Sequence, residues 1–129
     1  MKKIIFTGCG TAIITPFTDN GINFSEFKKL IENQISNGID SIIVCGTTGE
    51  ASTMSLEEKK SVIEFAVKAV NKRVPIIAGT GGNSTKAVIE MTKFAESVGV
   101  DACLIVTPYY NKTTQTRFNC TLYCYLKFY

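Results

Sequence analysis

The chain has 129 residues and a mass of 14.1 kDa, which suits one modest domain and is too small for two. A hydrophobic content of 45% with 19% charged residues and 10 glycines excludes a disordered chain, a collagen and a coiled coil. The net charge of +3 is spread along the chain without a basic block, which argues against nucleic-acid binding. Histidine is absent, so any chemistry must use hydroxyls, lysines, carboxylates or backbone groups.

The first half of the chain alternates short apolar runs with a segment of helical periodicity. We predict one strand over residues 11–14 and another over residues 41–44, which is apolar on both faces as a buried parallel strand requires. Between them, residues 25–37 place their apolar side chains on one helical stripe. Asn23 is suited to cap the start of this helix and Gly38 to end it.

The second half repeats the alternation. Residues 55–58 (Ser-Leu-Glu-Glu) form a capping-box pattern, which predicts the start of a second helix. We predict a third strand over residues 76–78, a third helix over residues 85–98 that ends at Gly99, and a fourth strand over residues 102–106. Strand and helix thus alternate about every 30 residues, which indicates right-handed βαβ units and a parallel sheet. Such units build either an open doubly wound sheet or a closed eight-fold barrel.

Residues 116–129 break this alternation. The segment is rich in aromatic residues, contains no glycine or proline, and shows no amphipathic helical stripe. It is β-prone and is more typical of aggregation-prone sequence than of an element of a fold. We therefore expect the folded part over residues 1–115 and an aberrant tail over residues 116–129.

The cysteines and the amino-terminal residues indicate in which cellular compartment the protein is expected. An odd count of five cysteines with no C-x-x-C pair argues against a disulfide framework and against a zinc site. The apolar run that follows Lys3 stops at Thr7, which is too short for a secretion signal or a membrane span. We therefore expect a cytoplasmic protein that binds neither a membrane nor a metal.

Polar, glycine-rich loops follow the predicted strands, at the ends where α/β folds place their sites. In Gly46-Thr47-Thr48-Gly49, two hydroxyls and successive backbone N–H groups suit the binding of a carboxylate or a phosphate. The alternative is that these residues only turn the chain. No stretch fits the phosphate-loop pattern G-x-x-x-x-G-K-[ST], and residues 79–84 lack the third glycine of the dinucleotide fingerprint.

Two adjacent tyrosines after the fourth predicted strand are the second unusual feature. Tyr109 and Tyr110 follow Pro108, and neighbouring side chains at a strand end point in different directions. A tyrosine hydroxyl beside a threonine hydroxyl can relay a proton where no histidine is available. The alternative is that both rings fill space at the rim of the fold.

Four motifs stand at the ends of the predicted strands, in this order: Gly10-Thr-Ala-Ile-Ile-Thr-Pro-Phe17, Ile43-Val-Cys-Gly-Thr-Thr-Gly-Glu50, Ile77-Ala-Gly-Thr-Gly-Gly-Asn83 and Val106-Thr-Pro-Tyr-Tyr-Asn-Lys-Thr-Thr-Gln115. Taken together, they resemble the motifs of the dihydrodipicolinate synthase family. The resemblance covers about residues 4–115 and is specific because all four motifs are in register. It implies a (β/α)8 TIM barrel, of which this chain supplies about the first four βα units, and usually a homotetramer.

The resemblance also implies an activity that needs no cofactor. The family condenses pyruvate, held as a lysine Schiff base, with L-aspartate 4-semialdehyde in the diaminopimelate route to lysine. By this resemblance Thr48 binds the pyruvate carboxylate, while Thr47 and Tyr110 belong to a proton relay. Tyr110 matches the tyrosine that reaches into the site of the neighbouring subunit. Tyr109 matches the other interface tyrosine, and Asn83 and Tyr109 match parts of a lysine-feedback site.

Other positions of that feedback site are not typical of lysine-sensitive relatives. They hold Ala51, Leu56, Lys59 and Ala87, which lack the polar and acidic groups of those relatives. We therefore expect weak or no inhibition by lysine in any full-length form. Inhibition at a physiological lysine concentration would contradict this.

Three functional groups of the family match no residue of this chain, because they lie beyond residue 129. They are the Schiff-base lysine, the second relay tyrosine and the carboxylate-binding arginine. We therefore expect a truncated product that is inactive alone. Two alternatives stay open: another class I pyruvate-dependent aldolase, such as an N-acetylneuraminate or keto-deoxy sugar acid lyase, and a non-catalytic fragment.

Overall fold

The computed structural model describes residues 4–111, 114–116 and 119. Residues 10–104 form six strands and three helices. In chain order they are β1 (Gly10–Ala12), β2 (Phe17–Thr18), β3 (Gly21–Ile22), α1 (Phe24–Ser36), β4 (Ser41–Val44), α2 (Leu56–Val70), β5 (Ile76–Gly79), α3 (Thr85–Val98) and β6 (Ala102–Leu104). No helix in the described residues is long and apolar enough to cross a membrane.

The sheet is parallel, as the alternation of strand and helix predicted. Its strand order is β1-β4-β5-β6, so each main strand lies beside the next one along the chain. Ile42 pairs with both Thr11 and Ile76, and Ile77 pairs with Ala102. Because all four strands run the same way, their carboxyl ends meet at one edge of the sheet.

The predicted helix ends are confirmed, since local side chains satisfy the free backbone groups there. The Asn23 side chain accepts a hydrogen bond from the Glu26 N–H at 3.0 Å. Ser55 and Glu58 complete a capping box: the Ser55 N–H donates to the Glu58 carboxylate at 2.8 Å, and the Glu58 N–H donates to the Ser55 hydroxyl at 3.2 Å. Gly99 ends α3 in the left-handed conformation with a φ of 88°.

Three features near the strand ends differ from the predictions. Strands β2 and β3 form a small antiparallel hairpin that the sequence did not predict, because two residues on each side are too few to show a periodicity. Strand β1 ends at Ala12 rather than residue 14, and β6 ends at Leu104 rather than residue 106. Both strands stop where their pairing with β4 and β5 stops.

The core lies on one side of the sheet. Side chains of the central strands such as Ile42 and Ala78 are fully buried beneath the helices, where they meet Phe27, Ile31 and Ile63. Strand alternation places Leu104 on the opposite face, and it is 47% exposed. This one-sided burial is what the first βα units of a barrel require, because the other face of such a sheet lines the barrel interior.

Three described positions fall at or beyond residue 115. Gln115, Thr116 and Asn119 have a helical backbone conformation. The Gln115 side chain donates a hydrogen bond to the Asn119 side chain at 3.2 Å, one turn further on. The β-prone character predicted from Thr116 onward is therefore wrong at Thr116 and Asn119, while the rest of the proposed tail lies outside the described residues.

Ser41 at the start of β4 allows a test of the packing. Its hydroxyl is fully buried and forms no hydrogen bond with any described residue. A buried hydroxyl without a partner keeps its full desolvation cost, so we expect Ser41→Ala to leave the free energy of unfolding unchanged or raise it by about 1 kcal/mol. Urea unfolding of the full chain measures this, with Ser97→Ala, an exposed position, as the control. A loss of stability in Ser41→Ala well beyond that control would show that the hydroxyl has a partner in solution.

Candidate active site

The candidate site is built from loops at the carboxyl edge of the parallel sheet. These loops bring together segments that are far apart in the chain, namely the turn after β1, the loop after β4 and the loops after β5 and β6. The strands hold the two ends of each loop in place. In α/β folds this edge is where binding and catalytic groups are placed.

The loop after β4 holds the two predicted threonines at its tip. The chain turns sharply at Cys45, which is in the left-handed region with a φ of 53°. The Gly46 carbonyl then accepts hydrogen bonds from the N–H groups of Gly49 at 3.1 Å and Ala51 at 3.4 Å. Thr47 and Thr48 lie inside this closed turn and are exposed. Among the described residues neither hydroxyl has a hydrogen-bond partner, so both are available to a ligand.

A residue that sequence reasoning missed holds this turn in place. Thr15 is 4% exposed, and its hydroxyl donates a buried hydrogen bond to the Gly49 carbonyl at 2.8 Å. A Cβ atom at Gly49 would lie 3.2 Å from the Ile13 carbonyl oxygen, so the turn is packed closely against the β1 segment. No local pattern could have shown this contact, because its two residues are 34 positions apart.

The end of β5 approaches the same turn from the other side. A Cβ atom at Gly79 would lie 2.0 Å from the Cys45 carbonyl oxygen and 3.0 Å from the Gly46 nitrogen. Only a glycine permits this approach of two backbones. The threonine turn is therefore fixed between β1 and β5, which stiffens its tip without using the threonine side chains.

The two tyrosines occupy different environments, as predicted for adjacent side chains at a strand end. The Tyr109 N–H donates a hydrogen bond to the Asn83 side chain at 2.7 Å, which joins the loops after β5 and β6. Tyr110 is fully exposed and has a left-handed φ of 61°. The two rings are 6.4 Å apart in an edge-to-face arrangement.

The structure thus brings together some of the predicted site residues and leaves others apart. Asn83 and Tyr109 are in direct contact, and Thr47 and Thr48 share one turn. No hydrogen bond joins Tyr110 to either threonine among the described residues. The exposed Tyr110 ring projects away from its own chain, which leaves it free to contact another molecule.

The Cys45 thiol is not a candidate nucleophile. Burial raises its pKa to about 12, against a smaller opposing effect of the nearby Lys59 charge. At pH 8 the thiolate fraction is then about 1 in 10,000, because a raised pKa keeps the thiol protonated. We expect iodoacetamide at pH 8 to label the exposed Cys9 at least about 100-fold faster than Cys45, as read by peptide mass spectrometry. Equal labelling of the two would contradict the burial of Cys45.

The combination of a parallel βα sheet with this threonine turn and tyrosine pair can be compared with known proteins. The sequence profile of the dihydrodipicolinate synthetase family matches residues 5–122. This chain belongs to that family. Its parallel sheet and three helices are the first units of the (β/α)8 barrel, and the open doubly wound sheet is thereby excluded.

Relatives within the dihydrodipicolinate synthetase family cover nearly all of this chain. The 4-hydroxy-tetrahydrodipicolinate synthase of Acetivibrio thermocellus is 66% identical over 115 residues, which are 89% of this chain and 39% of the relative. The dihydrodipicolinate synthase structure from Aquifex aeolicus matches with a TM-score of 0.94 at 44% identity, over 96% of this chain and 42% of that one. The enzyme from Acinetobacter baumannii, solved with pyruvate, matches with a TM-score of 0.93 at 46% identity, over 98% and 43%. This chain therefore spans about two fifths of the length of these family members.

Proposed function

We propose that the turn after β4, which carries Thr47 and Thr48, is the pyruvate-binding loop of a 4-hydroxy-tetrahydrodipicolinate synthase. Such an enzyme condenses pyruvate, held as a lysine Schiff base, with L-aspartate 4-semialdehyde. The observation that carries the proposal is the closed turn after β4, whose two threonine hydroxyls are exposed and unpartnered among the described residues. This turn occurs in a chain that is 66% identical to a protein named 4-hydroxy-tetrahydrodipicolinate synthase, and this identity supports the proposed activity.

Thr48 is proposed to bind the pyruvate carboxylate. A carboxylate accepts hydrogen bonds from hydroxyl and backbone N–H groups, and the tip of this turn offers both kinds of donor. The hydrogen bonds to the Gly46 and Gly49 carbonyls fix the two ends of the turn. Little ordering is then needed when the anion binds, which favours affinity.

Thr47 and Tyr110 are proposed to pass a proton during the condensation. These residues include no histidine, and a relay of threonine and tyrosine hydroxyls is one route for general acid–base chemistry without it. Tyr110 does not contact Thr47 within its own chain, and its ring is fully exposed. Both facts suit a tyrosine that reaches into the site of a neighbouring subunit.

The assembly and the compartment are part of the same proposal. We infer a homotetramer, in which Tyr109 and Tyr110 lie at an interface between subunits. The exposure of Tyr109, which is 45%, and of Tyr110 supports this, since large exposed aromatic side chains mark contact surfaces. We also propose that the protein is cytoplasmic, because the proposed substrates, pyruvate and an amino-acid aldehyde, are small metabolites of the cell interior.

The relatives favour this synthase over the other class I aldolases. The Acetivibrio thermocellus protein, at 66% identity, is named as a synthase. A lyase acting on N-acetylneuraminate or a keto-deoxy sugar acid would share pyruvate chemistry, so it remains the second candidate. The synthase and the lyase would bind pyruvate by the same chemistry, and the residues proposed here are those that bind pyruvate.

The test is a chimera in which residues 1–115 of this chain replace the matching part of the Acetivibrio thermocellus synthase. We expect the chimera to form a pyruvate-dependent adduct with borohydride and to condense pyruvate with aspartate 4-semialdehyde. Thr48→Val should raise KM for pyruvate by about tenfold or more, because one hydrogen bond to a charged group is lost. Thr7→Val, an exposed change outside these loops, is the matched control.

Two results would overturn the proposal. One is a folded chimera that fails to form the adduct, and the other is a Thr48→Val chimera that binds pyruvate as well as the Thr7→Val control. The isolated 129-residue chain serves as a further comparison. We expect it to give no pyruvate-dependent borohydride adduct, because the resemblance places the Schiff-base lysine outside these residues.

A further inference from the structure

A single peptide group joins the buried Thr15 hydroxyl to Thr47 in the turn after β4. The Thr15 hydroxyl donates to the Gly49 carbonyl at 2.8 Å. This carbonyl and the Glu50 N–H belong to one trans peptide group, so they point in opposite directions. The Glu50 N–H donates in turn to the Thr47 carbonyl at 3.0 Å. Thr15 therefore fixes the backbone of Thr47 without touching its side chain.

A second peptide group extends this connection to the tip of the turn. The Thr47 carbonyl and the Thr48 N–H belong to one trans peptide group, so the N–H points away from the bonded carbonyl. Thr48 is exposed, and its N–H forms no hydrogen bond with any described residue. Two hydrogen bonds and two rigid peptide planes thus lead from the Thr15 hydroxyl to a free donor at the tip.

The first of these peptide groups is held in an orientation that costs backbone energy. Glu50 has a φ of 56°, in the left-handed region that residues with a side chain rarely adopt. Flipping the Gly49–Glu50 peptide group would return Glu50 to a negative φ, and the glycine before it would permit the change. The flip would break the hydrogen bonds to Thr15 and Thr47 together. The Thr15 hydroxyl therefore opposes relaxation of the turn.

The described residues offer no substitute for the Thr15 hydroxyl. Gly49 is buried, and its carbonyl accepts no other hydrogen bond from the residues that the structure describes. A Cβ atom at Gly49 would lie 3.2 Å from the Ile13 carbonyl oxygen, so the β1 segment closes off this side of the turn. A buried carbonyl that loses its donor keeps its desolvation cost, which favours the flip.

We propose that Thr15 is a positioning residue for the pyruvate carboxylate. Its hydrogen bond holds the Gly49–Glu50 peptide group, and through the Thr47 carbonyl this group orients the Thr48 N–H toward the ligand. The inference rests on the proposed function of the turn and adds a residue that does not touch pyruvate. Because the connection ends at a donor for the carboxylate, its loss should weaken pyruvate binding more than it slows the later steps.

Amide hydrogen exchange on the full 129-residue chain tests the connection without a ligand. Thr15→Val keeps the shape of the side chain and removes the hydroxyl, so the Glu50 N–H should exchange at least about tenfold faster than in the native chain. Thr15→Ser keeps the hydroxyl and should stay within about twofold of the native rate. Thr11→Val is the matched control, because the Thr11 hydroxyl also starts from β1 but donates to the Gln34 side chain at 2.7 Å.

The chimera tests the consequence for pyruvate. Thr15→Val should raise KM for pyruvate by about tenfold, with kcat and KM for the aldehyde changed by no more than about threefold. Thr15→Ser should restore KM for pyruvate, and Thr11→Val should leave it unchanged. A purely structural role of Thr15 would lower the amount of folded enzyme and leave KM for pyruvate as it is.

Thr15→Ala is the second variant if Thr15→Val does not fold, because it brings no methyl group against the Gly49 carbonyl. The inference is overturned if Glu50 exchanges no faster in the hydroxyl-free variant than in Thr11→Val. It is also overturned if a folded, active chimera without the hydroxyl keeps the KM for pyruvate of the Thr11→Val chimera. An unmodified chimera that forms no pyruvate adduct would overturn the proposed function, while faster exchange at Glu50 would still establish the connection from Thr15 to the turn.

Discussion

Replacing Tyr110 with phenylalanine in the chimera is expected to lower kcat by at least about 100-fold, with KM for pyruvate little changed. The change removes the hydroxyl proposed to carry a proton and keeps the ring. Pyruvate is proposed to bind at the threonine turn, and among the described residues Tyr110 forms no hydrogen bond with Thr47 or Thr48. A coupled assay of the condensation, with pyruvate varied at saturating aldehyde, separates the two parameters.

Tyr109→Phe is the control, because Tyr109 is held through its backbone N–H, and its hydroxyl forms no hydrogen bond with the residues that the structure describes. We expect Tyr109→Phe to change kcat by no more than about threefold. A mixing experiment tests whether Tyr110 acts in a neighbouring subunit. Tyr110→Phe chains are mixed with chains whose Schiff-base lysine, supplied by the relative, is replaced by alanine. Mixed tetramers should regain activity, and the absence of any recovery would show that Tyr110 acts within its own chain or not at all.

Replacing Gly79 with alanine is expected to lower the free energy of unfolding by about 2–4 kcal/mol. The added Cβ atom would lie 2.0 Å from the Cys45 carbonyl oxygen, which is backbone and cannot rotate away. Either β5 separates from the turn after β4, or the turn shifts together with Thr47 and Thr48. Urea unfolding of the full chain measures the stability, and the chimera measures the loss of pyruvate affinity that a shifted turn would cause.

Gly82→Ala is the matched control for Gly79→Ala, since Gly82 lies three residues further along the chain, in the loop after β5. The nearest atom to its added Cβ would be a Val88 methyl carbon at 3.7 Å, an ordinary van der Waals distance. We expect Gly82→Ala to change the free energy of unfolding by less than about 1 kcal/mol. A Gly79→Ala chain as stable as the Gly82→Ala chain would show that the close backbone approach is not required.

The secondary-structure predictions that were confirmed rest on patterns of neighbouring residues, namely periodicity and helix capping. Strand β4 and helix α3 have the predicted bounds, Ser41–Val44 and Thr85–Val98. Their ends depend on neighbours in sequence, such as the Ser84 side chain that accepts the Ala87 N–H at 3.4 Å. The hairpin of β2 and β3 escaped prediction because its pairing depends on contacts and not on periodicity.

The amino-acid sequence by itself determined the βα order, the family and the loop after β4 that carries Thr47 and Thr48. These features could be predicted because helical periodicity, capping and the motifs depend on residues that are close together in the sequence. Only the tertiary structure decided how that loop is held. Thr15, in the segment after β1, donates a hydrogen bond to it, and the backbone of Gly79 at the end of β5 packs directly against it. Such contacts join residues that are distant in the chain, and a parallel sheet brings them together only after each strand has found its neighbour.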